Sequence, residues 1–201
     1  METIQLPVPR TQSAYSLERA LHERRSVRRF SPTALTLEQV SQLLWAAQGV
    51  THASGLRTTP SAGALYPLET YVVAGNVTGL RPGVYRYLPQ RHELAPAGRA
   101  NARAALAAAA PGQTAVAEAP AVVALAAVEG RTTAKYGRRG IAYVEREAGH
   151  AAQNLLLQAT ALGLAGVPIG AFDDARVAAA LGLAGDERPL YLIPLGRPAQ
   201  H

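Results

Sequence analysis

The sequence predicts an α+β sandwich, and three observations carry that prediction. Strand-like and helical segments interleave without a run of β-α-β units, which argues against a doubly wound parallel sheet. The run AVVALAAV at 121–128 is continuously apolar between Pro120 and Gly130, as a central strand is. The longest helical pattern, from Ile141 to Leu162, places Ala148, Ala152, Leu155 and Leu156 close together on the helical wheel.

Residues 1–15 contain Pro7 and Pro9 and no periodicity, and read as an extended arm. Residues 16–201 read as a single domain. Ser16 can cap a short helix, SLERALHERR, and Ser31-Pro32 closes the basic run RRSVRRF at 24–30. Thr36 and Gln39 form a capping box before LEQVSQLLWAAQ, with Gly49 as the stop. Leu37, Val40, Leu44 and Ala47 make one face of that helix, widened by Leu43 and Trp45. A long polar, Gly- and Pro-marked segment covers 51–67, and ligand contact is a common reason for such a stretch inside a domain.

Strands follow at 68–75 and 83–88, joined through Gly79 and Pro82, with a short strand at Arg91–Leu94. An Ala-rich helix runs from Asn101 to Ala110 and ends at Pro111-Gly112, and a second short helix precedes Pro120. After the long helix, Gly163 is the stop and VPIGAF the joint. Asp173 or Asp174 caps DARVAAALGL, and YLIPLG is the closing strand.

Composition narrows the class. With 48% apolar and 17% charged residues in a chain of 201, disorder is excluded and one core is affordable. Cysteine is absent, which removes disulfides, thiolate metal sites and a cysteine nucleophile. The first residues lack a secretory pattern and no stretch resembles a membrane span, so a cytoplasmic protein is expected. The net charge of +6 suits an anionic ligand, but no interleaved basic and aromatic tract points to nucleic acid. The five histidines show no ligand spacing, and no metal is expected.

Four segments could carry chemistry. Arg24, Arg25, Ser26 and Arg28 offer guanidiniums and a hydroxyl to a phosphate, or form a solvated basic turn. Pro60, Ser61, Ala62 and Gly63 let backbone N–H groups approach a ligand, or form a surface loop. Pro168, Ile169 and Gly170 lie at a helix-to-strand joint that could present a donor to a planar ring. Arg197, after the last strand, is a further anion-binding candidate. No GxGxxG, phosphate-binding loop, HExxH or GxSxG is present.

Taken in order, RRSVRRF, TTPSAGALYPLETYVV, GHAAQNLLLQATALGLAGVPIGAF and LYLIPLGRP resemble the nitroreductase-like FMN flavoprotein superfamily. Within it they are most similar to the branch containing the dehydrogenases of thiazole and oxazole peptide maturation. The resemblance covers roughly residues 16–198. It implies a mostly antiparallel central sheet flanked by helices, in a homodimer whose sheet and flavin site are completed by the partner. Arg24, Ser26, Arg28 and Arg197 would hold the FMN phosphate end, with Arg25 in the same motif. Pro60 to Gly63 would line the flavin, contributed by the second subunit, and Pro168, Ile169 and Gly170 would lie against the ring with the Gly170 N–H near N5.

The activity so implied is ping-pong hydride transfer from NAD(P)H through the flavin to a quinone, nitro compound or related small acceptor. Two alternatives stay open. One is azoline oxidation, with Lys135 and Tyr136 assisting proton removal; the other is oxygen-dependent fragmentation of the flavin. Lys135 is the only lysine in the chain, and a solvated lysine in a polar linker is its plain reading.

Overall fold

The run at 121–128 does lie inside the sheet, paired with the strand at 68–74. In the computed structural model, residues 2–98 and 102–199 are described. The chain passes through β1 (Ile4–Gln5), α1 (Leu17–Glu23), β2 (Leu35–Thr36), α2 (Leu37–Gln48) and a short 3₁₀ turn (Ala62–Ala64). It continues through β3 (Leu68–Ala74), β4 (Val77–Thr78), β5 (Gly83–Leu88), β6 (Glu93–Ala97), α3 (Ala102–Ala109), α4 (Thr114–Glu118) and β7 (Ala121–Val128). Last come α5 (Gly130–Tyr136), α6 (Arg139–Ala161), β8 (Ala165–Gly166), α7 (Asp174–Leu181) and β9 (Glu187–Gly196).

Seven strands form one sheet in the order β1-β6-β5-β3-β7-β9-β8, and every pairing in it is antiparallel. β2 and β4 pair in parallel as a separate ribbon. The expected sandwich is thus present, and both faces of its sheet are covered. Along β3 and β7, Leu68, Val72, Val123 and Leu125 point into a core shared with α2 and α6. Tyr71, Val73, Val122 and Ala124 point into a second core with α3, α4 and α7. Strands apolar on both sides lose the alternation of a half-solvated sheet, which is why 121–128 reads as an unbroken apolar run.

Local signals set the helix ends. The capping box of α2 is formed in both directions: the Gln39 backbone N–H donates to Thr36 Oγ1 at 3.2 Å, and the Thr36 N–H to Gln39 Oε1 at 3.0 Å. Asp173, not Asp174, caps α7, its carboxylate accepting from the Arg176 N–H at 3.0 Å. α6 buries Val144, Ala148, Ala151, Leu155 and Ala159, spaced three or four apart. Each leucine so buried contributes roughly 1.5–3 kcal/mol.

Elsewhere the structure departs from expectation. The strand expected at Arg91–Leu94 occupies Glu93–Ala97 instead, because Arg91 and His92 form the turn after β5, with His92 at a φ of 51°. Asn101, the expected first residue of α3, lies outside the described residues. The arm is extended, and β1 within it adds to the edge of the chain's own sheet beside β6, with Leu6 buried. A Ser–His contact secures it. His92 Nε2 lies 2.7 Å from Ser41 Oγ and 3.0 Å from the Pro7 carbonyl, while its Nδ1 meets the Tyr87 hydroxyl at 2.8 Å. Ser41 is 1% exposed and also donates to Pro7, so this is a latch for the arm and no hydrolytic centre.

α5 was not legible in the sequence. Of its residues only Thr132 is buried, so it has no apolar stripe to read. Polar anchors hold it. Arg131 donates to the Tyr66 carbonyl at 3.0 Å and to Glu69 Oε1 at 2.6 Å, and Glu69 is also paired with Arg86 at 2.8 Å. Among the described residues, no helix is long and apolar enough to cross a membrane.

Candidate functional site

α1 ends at Arg24, and the next residues run beside the closing strands. Ser26 forms a parallel bridge with Gly166, and the Val27 N–H donates to the Gly166 carbonyl at 3.1 Å. Phe30 bridges Pro198, the Ser31 N–H donates to the Arg197 carbonyl at 2.9 Å, and the Ala199 N–H donates to Arg29 at 3.1 Å. Three distant parts of the sequence, 24–31, 165–170 and 197–199, are thereby laid side by side. In an extended segment alternate side chains share a side, so Arg24, Ser26 and Arg28 form one set and Arg25 leaves it. Arg25 instead folds back, its Nη1 donating to the His22 and Arg24 carbonyls at 2.8 Å each, at the C-terminal end of α1. Arg24 is half-buried, while Arg28 and Arg197 are exposed. Among the described residues none of these three has an acidic partner.

The joint after β8 alternates inward and outward. Ile169 is buried in the second core, and both its N–H and its carbonyl are bonded to Leu192. Pro168 is half-buried and Gly170 exposed. No described residue accepts from the Gly170 N–H.

A second group forms around the segment at 57–66. Gly63, Ala64 and Tyr66 have φ of 65°, 53° and 46°, a conformation costing a non-glycine residue about 1–2 kcal/mol. Strain of that kind persists only where the surroundings over-determine it. Here they do. Thr59 Oγ1 donates to the Ala47 carbonyl at 2.7 Å, and Asn154 of α6 donates to Thr58 and Thr59 at 3.3 and 3.2 Å. Ser61 Oγ accepts from the Tyr66 N–H at 2.9 Å. Arg57 donates to Gln48 at 2.9 Å and stacks over the Tyr66 ring. At Gly63 a Cβ would meet Tyr136 Oη at 2.9 Å and Lys135 Nζ at 3.1 Å. The polar tips of the last two residues of α5 therefore converge on this loop. Lys135 is exposed, but at the end of a helix and not in a linker.

Behind the loop lies Glu147 of α6, 3% exposed. Its Oε1 has no hydrogen-bond partner. Burial pushes its carboxyl up to about 7, opposed by the Ser61 hydroxyl and the Arg57 charge, which favour the ionised form. Glu147, Arg57, Asn154 and the Arg131–Glu69 pair were missed from sequence. For Glu147 a signal existed: it falls three residues after Val144 and four before Ala151, on the buried stripe of α6. The other contacts are non-local and leave no pattern.

The structure thus brings Arg24, Ser26, Arg28, Pro168, Gly170 and Arg197 to one edge, and Pro60, Ser61, Ala62, Gly63, Lys135 and Tyr136 to another. Among the described residues no hydrogen bond links the two groups. Fold and site together define a sheet sandwich with a basic edge and a strained loop against which Lys135 and Tyr136 are set. The model of the nitroreductase family matches residues 21–197; the chain belongs to that family and is an oxidoreductase. A protein of Methanocaldococcus jannaschii assigned as a nitroreductase is 44% identical over 196 residues, 98% of each chain. The crystal structure of a protein from Ralstonia eutropha JMP134, likewise assigned, matches at a TM-score of 0.86 and 30% identity, over 99% of this chain and 90% of that one. The E. coli microcin synthetase McbBCD complex shares the fold, at a TM-score of 0.76 and 23% identity over 100% of this chain and 79% of that one.

Proposed function

We propose that this chain binds FMN between two copies of itself and passes hydride from NAD(P)H to a small organic acceptor, such as a quinone or nitro compound. The observation that supports it most is the edge along which the backbone bridges lay the segments carrying Arg24, Ser26, Arg28 and Arg197, whose arginines have no acidic partner among the described residues. That donor set fits a phosphate: planar guanidiniums and a compact hydroxyl. Pro168 and Gly170 offer a flat, small-residue seat and a backbone donor beside it. The loop at 60–63 of one copy lines the flavin held by the other, in keeping with its separation from the basic edge within one chain. When bound, FMN supplies the hydride chemistry. The protein's part is to fix the phosphate, donate from Gly170 to the ring edge and keep the substrate face open. Anaerobic addition of NADH or NADPH to the FMN-loaded protein should bleach the oxidised flavin spectrum; a spectrum unchanged by both rejects the reductase reading.

Removing Arg24 as alanine should weaken FMN binding by about 10- to 100-fold, the size of one hydrogen bond to a charged group. Arg25→Ala should change it little, because Arg25 is committed to the α1 carbonyls. FMN titration of both variants, with light scattering to confirm the dimer, checks this. Equal affinities in the two would separate the phosphate from the alternating set.

The convergence of Lys135 and Tyr136 on Gly63 favours a second reading, azoline-type dehydrogenation. Lys135 would take a ring proton as hydride leaves, with Tyr136 hydrogen-bonded to the substrate. Gly63→Ala should then displace both side chains and abolish flavin reduction by a thiazoline peptide. Reduction by NAD(P)H should survive.

A further inference from the structure

We propose that the exposed basic surface where α5 meets α6 receives the phosphates of the nicotinamide donor and selects NADPH over NADH. The inference rests on reading the chain as a flavin reductase and the loop at 60–63 as a wall of the flavin site. Four cations, Lys135, Arg138, Arg139 and Arg146, stand exposed on that surface. Among the described residues none of them has an acidic partner. The acids nearest in sequence are committed elsewhere: Glu145 faces Arg188 at 3.5 Å, and Glu147 is buried.

Aromatic rings hold these cations in place. Tyr136 and Tyr143 meet edge to face, with ring centroids 5.2 Å apart. Lys135 Nζ lies 5.4 Å from the Tyr136 centroid, and the guanidiniums of Arg139 and Arg146 each lie 5.7 Å from that of Tyr143. A cation held against a ring face keeps its charge and its N–H donors, whereas a carboxylate partner would occupy both. Arg139 and Arg146 are thereby positioned with their planar donor forks open to a phosphate. A solvated helix face ordinarily mixes signs, because opposite charges three or four residues apart stabilise it and like charges do the reverse. The spacing 139, 143, 146 instead puts Arg, Tyr and Arg on one stripe of α6, and no acid shares it.

The surface begins at the strained loop, where a Cβ on Gly63 would meet Lys135 Nζ at 3.1 Å. From there it leads away along α6, with Arg139 to Arg146 covering about 10 Å of helix. That layout suits a dinucleotide whose redox ring reaches the flavin and whose phosphates trail behind. The pyrophosphate common to NADH and NADPH carries about two negative charges, and the 2′-phosphate of NADPH adds roughly two more. Four unpaired cations at separate points complement the more highly charged donor.

The test is isothermal titration of the full-length protein with NADP⁺ and with NAD⁺, in the presence and absence of FMN. NADP⁺ should bind at least tenfold more tightly, the scale of one hydrogen bond to a charged group. That advantage should shrink as salt is raised. Arg139→Ala combined with Arg146→Ala should abolish the preference and raise KM for NADPH more than KM for NADH. Arg176→Ala, which removes the same charge from an exposed position on α7, should leave the preference in place. A wild type that binds both dinucleotides equally, or a double variant that keeps the preference, overturns the proposal. Binding of polyglutamate without binding of NADP⁺ overturns it as well, in favour of an acidic peptide. NADP⁺ bound selectively by a protein that takes up no FMN overturns the flavin reading instead and supports the phosphate surface.

Discussion

Glu147→Gln should make the protein more stable at pH 8, by about 3 kcal/mol, and leave it unchanged near pH 4. The unfolded chain releases this proton near 4.5 and the folded chain near 7. Between those values the folded state binds more protons, so stability falls as the pH rises, and above about 7 the full cost is present. A difference of that size corresponds to about 3 kcal/mol. Glutamine keeps the shape and removes the ionisation. For a chain of this length the melting temperature should rise by roughly 5–10 °C at pH 8. Thermal melts of both proteins across the pH range check it; parallel curves would show that Glu147 carries no buried charge.

Gly166→Ala should have the opposite sign, destabilising by about 2–3 kcal/mol and weakening FMN binding at least tenfold. A Cβ at Gly166 would lie 2.7 Å from the Pro194 carbonyl oxygen and 2.9 Å from Leu195 Cδ2. The first of these is backbone and cannot swing aside, so β8 must move off β9. The Gly166 carbonyl receives the Val27 N–H and Gly166 bridges Ser26, so the basic segment moves with it. Gly149→Ala, with nothing within 4 Å of its Cβ, should instead stabilise α6 by about 0.5–1 kcal/mol. Denaturant melts and FMN titration measure both effects. A Gly166→Ala protein that melts early but binds FMN normally would detach the phosphate seat from β8.

Much of the architecture was legible because short-range chemistry decides it. Thr36 and Gln39 cap α2 whatever lies elsewhere, and the apolar run at 121–128 has no stable place but the centre of a sheet. The candidate site was legible only as separate pieces: Arg24, Ser26, Arg28, Ser61, Gly63, Gly170 and Arg197 each stand in a short motif. Which pieces meet was not. Arg25 and Arg24 are neighbours of one chemistry, and only the bridge from Ser26 to Gly166 sends one toward the edge and the other back to α1. Ile169 stands between Pro168 and Gly170 in sequence, yet its pairing with Leu192 buries it. α5 has no periodicity because Glu69, more than sixty residues away, holds it through Arg131. By itself the sequence determined most of the helices and strands and the place of the central strand at 121–128, since those follow from propensity, capping and burial over a few residues. Tertiary structure alone decided which arginines share an edge, that Lys135 and Tyr136 reach Gly63, and that a carboxylate lies buried behind Ser61, because those depend on contacts between residues remote in the chain.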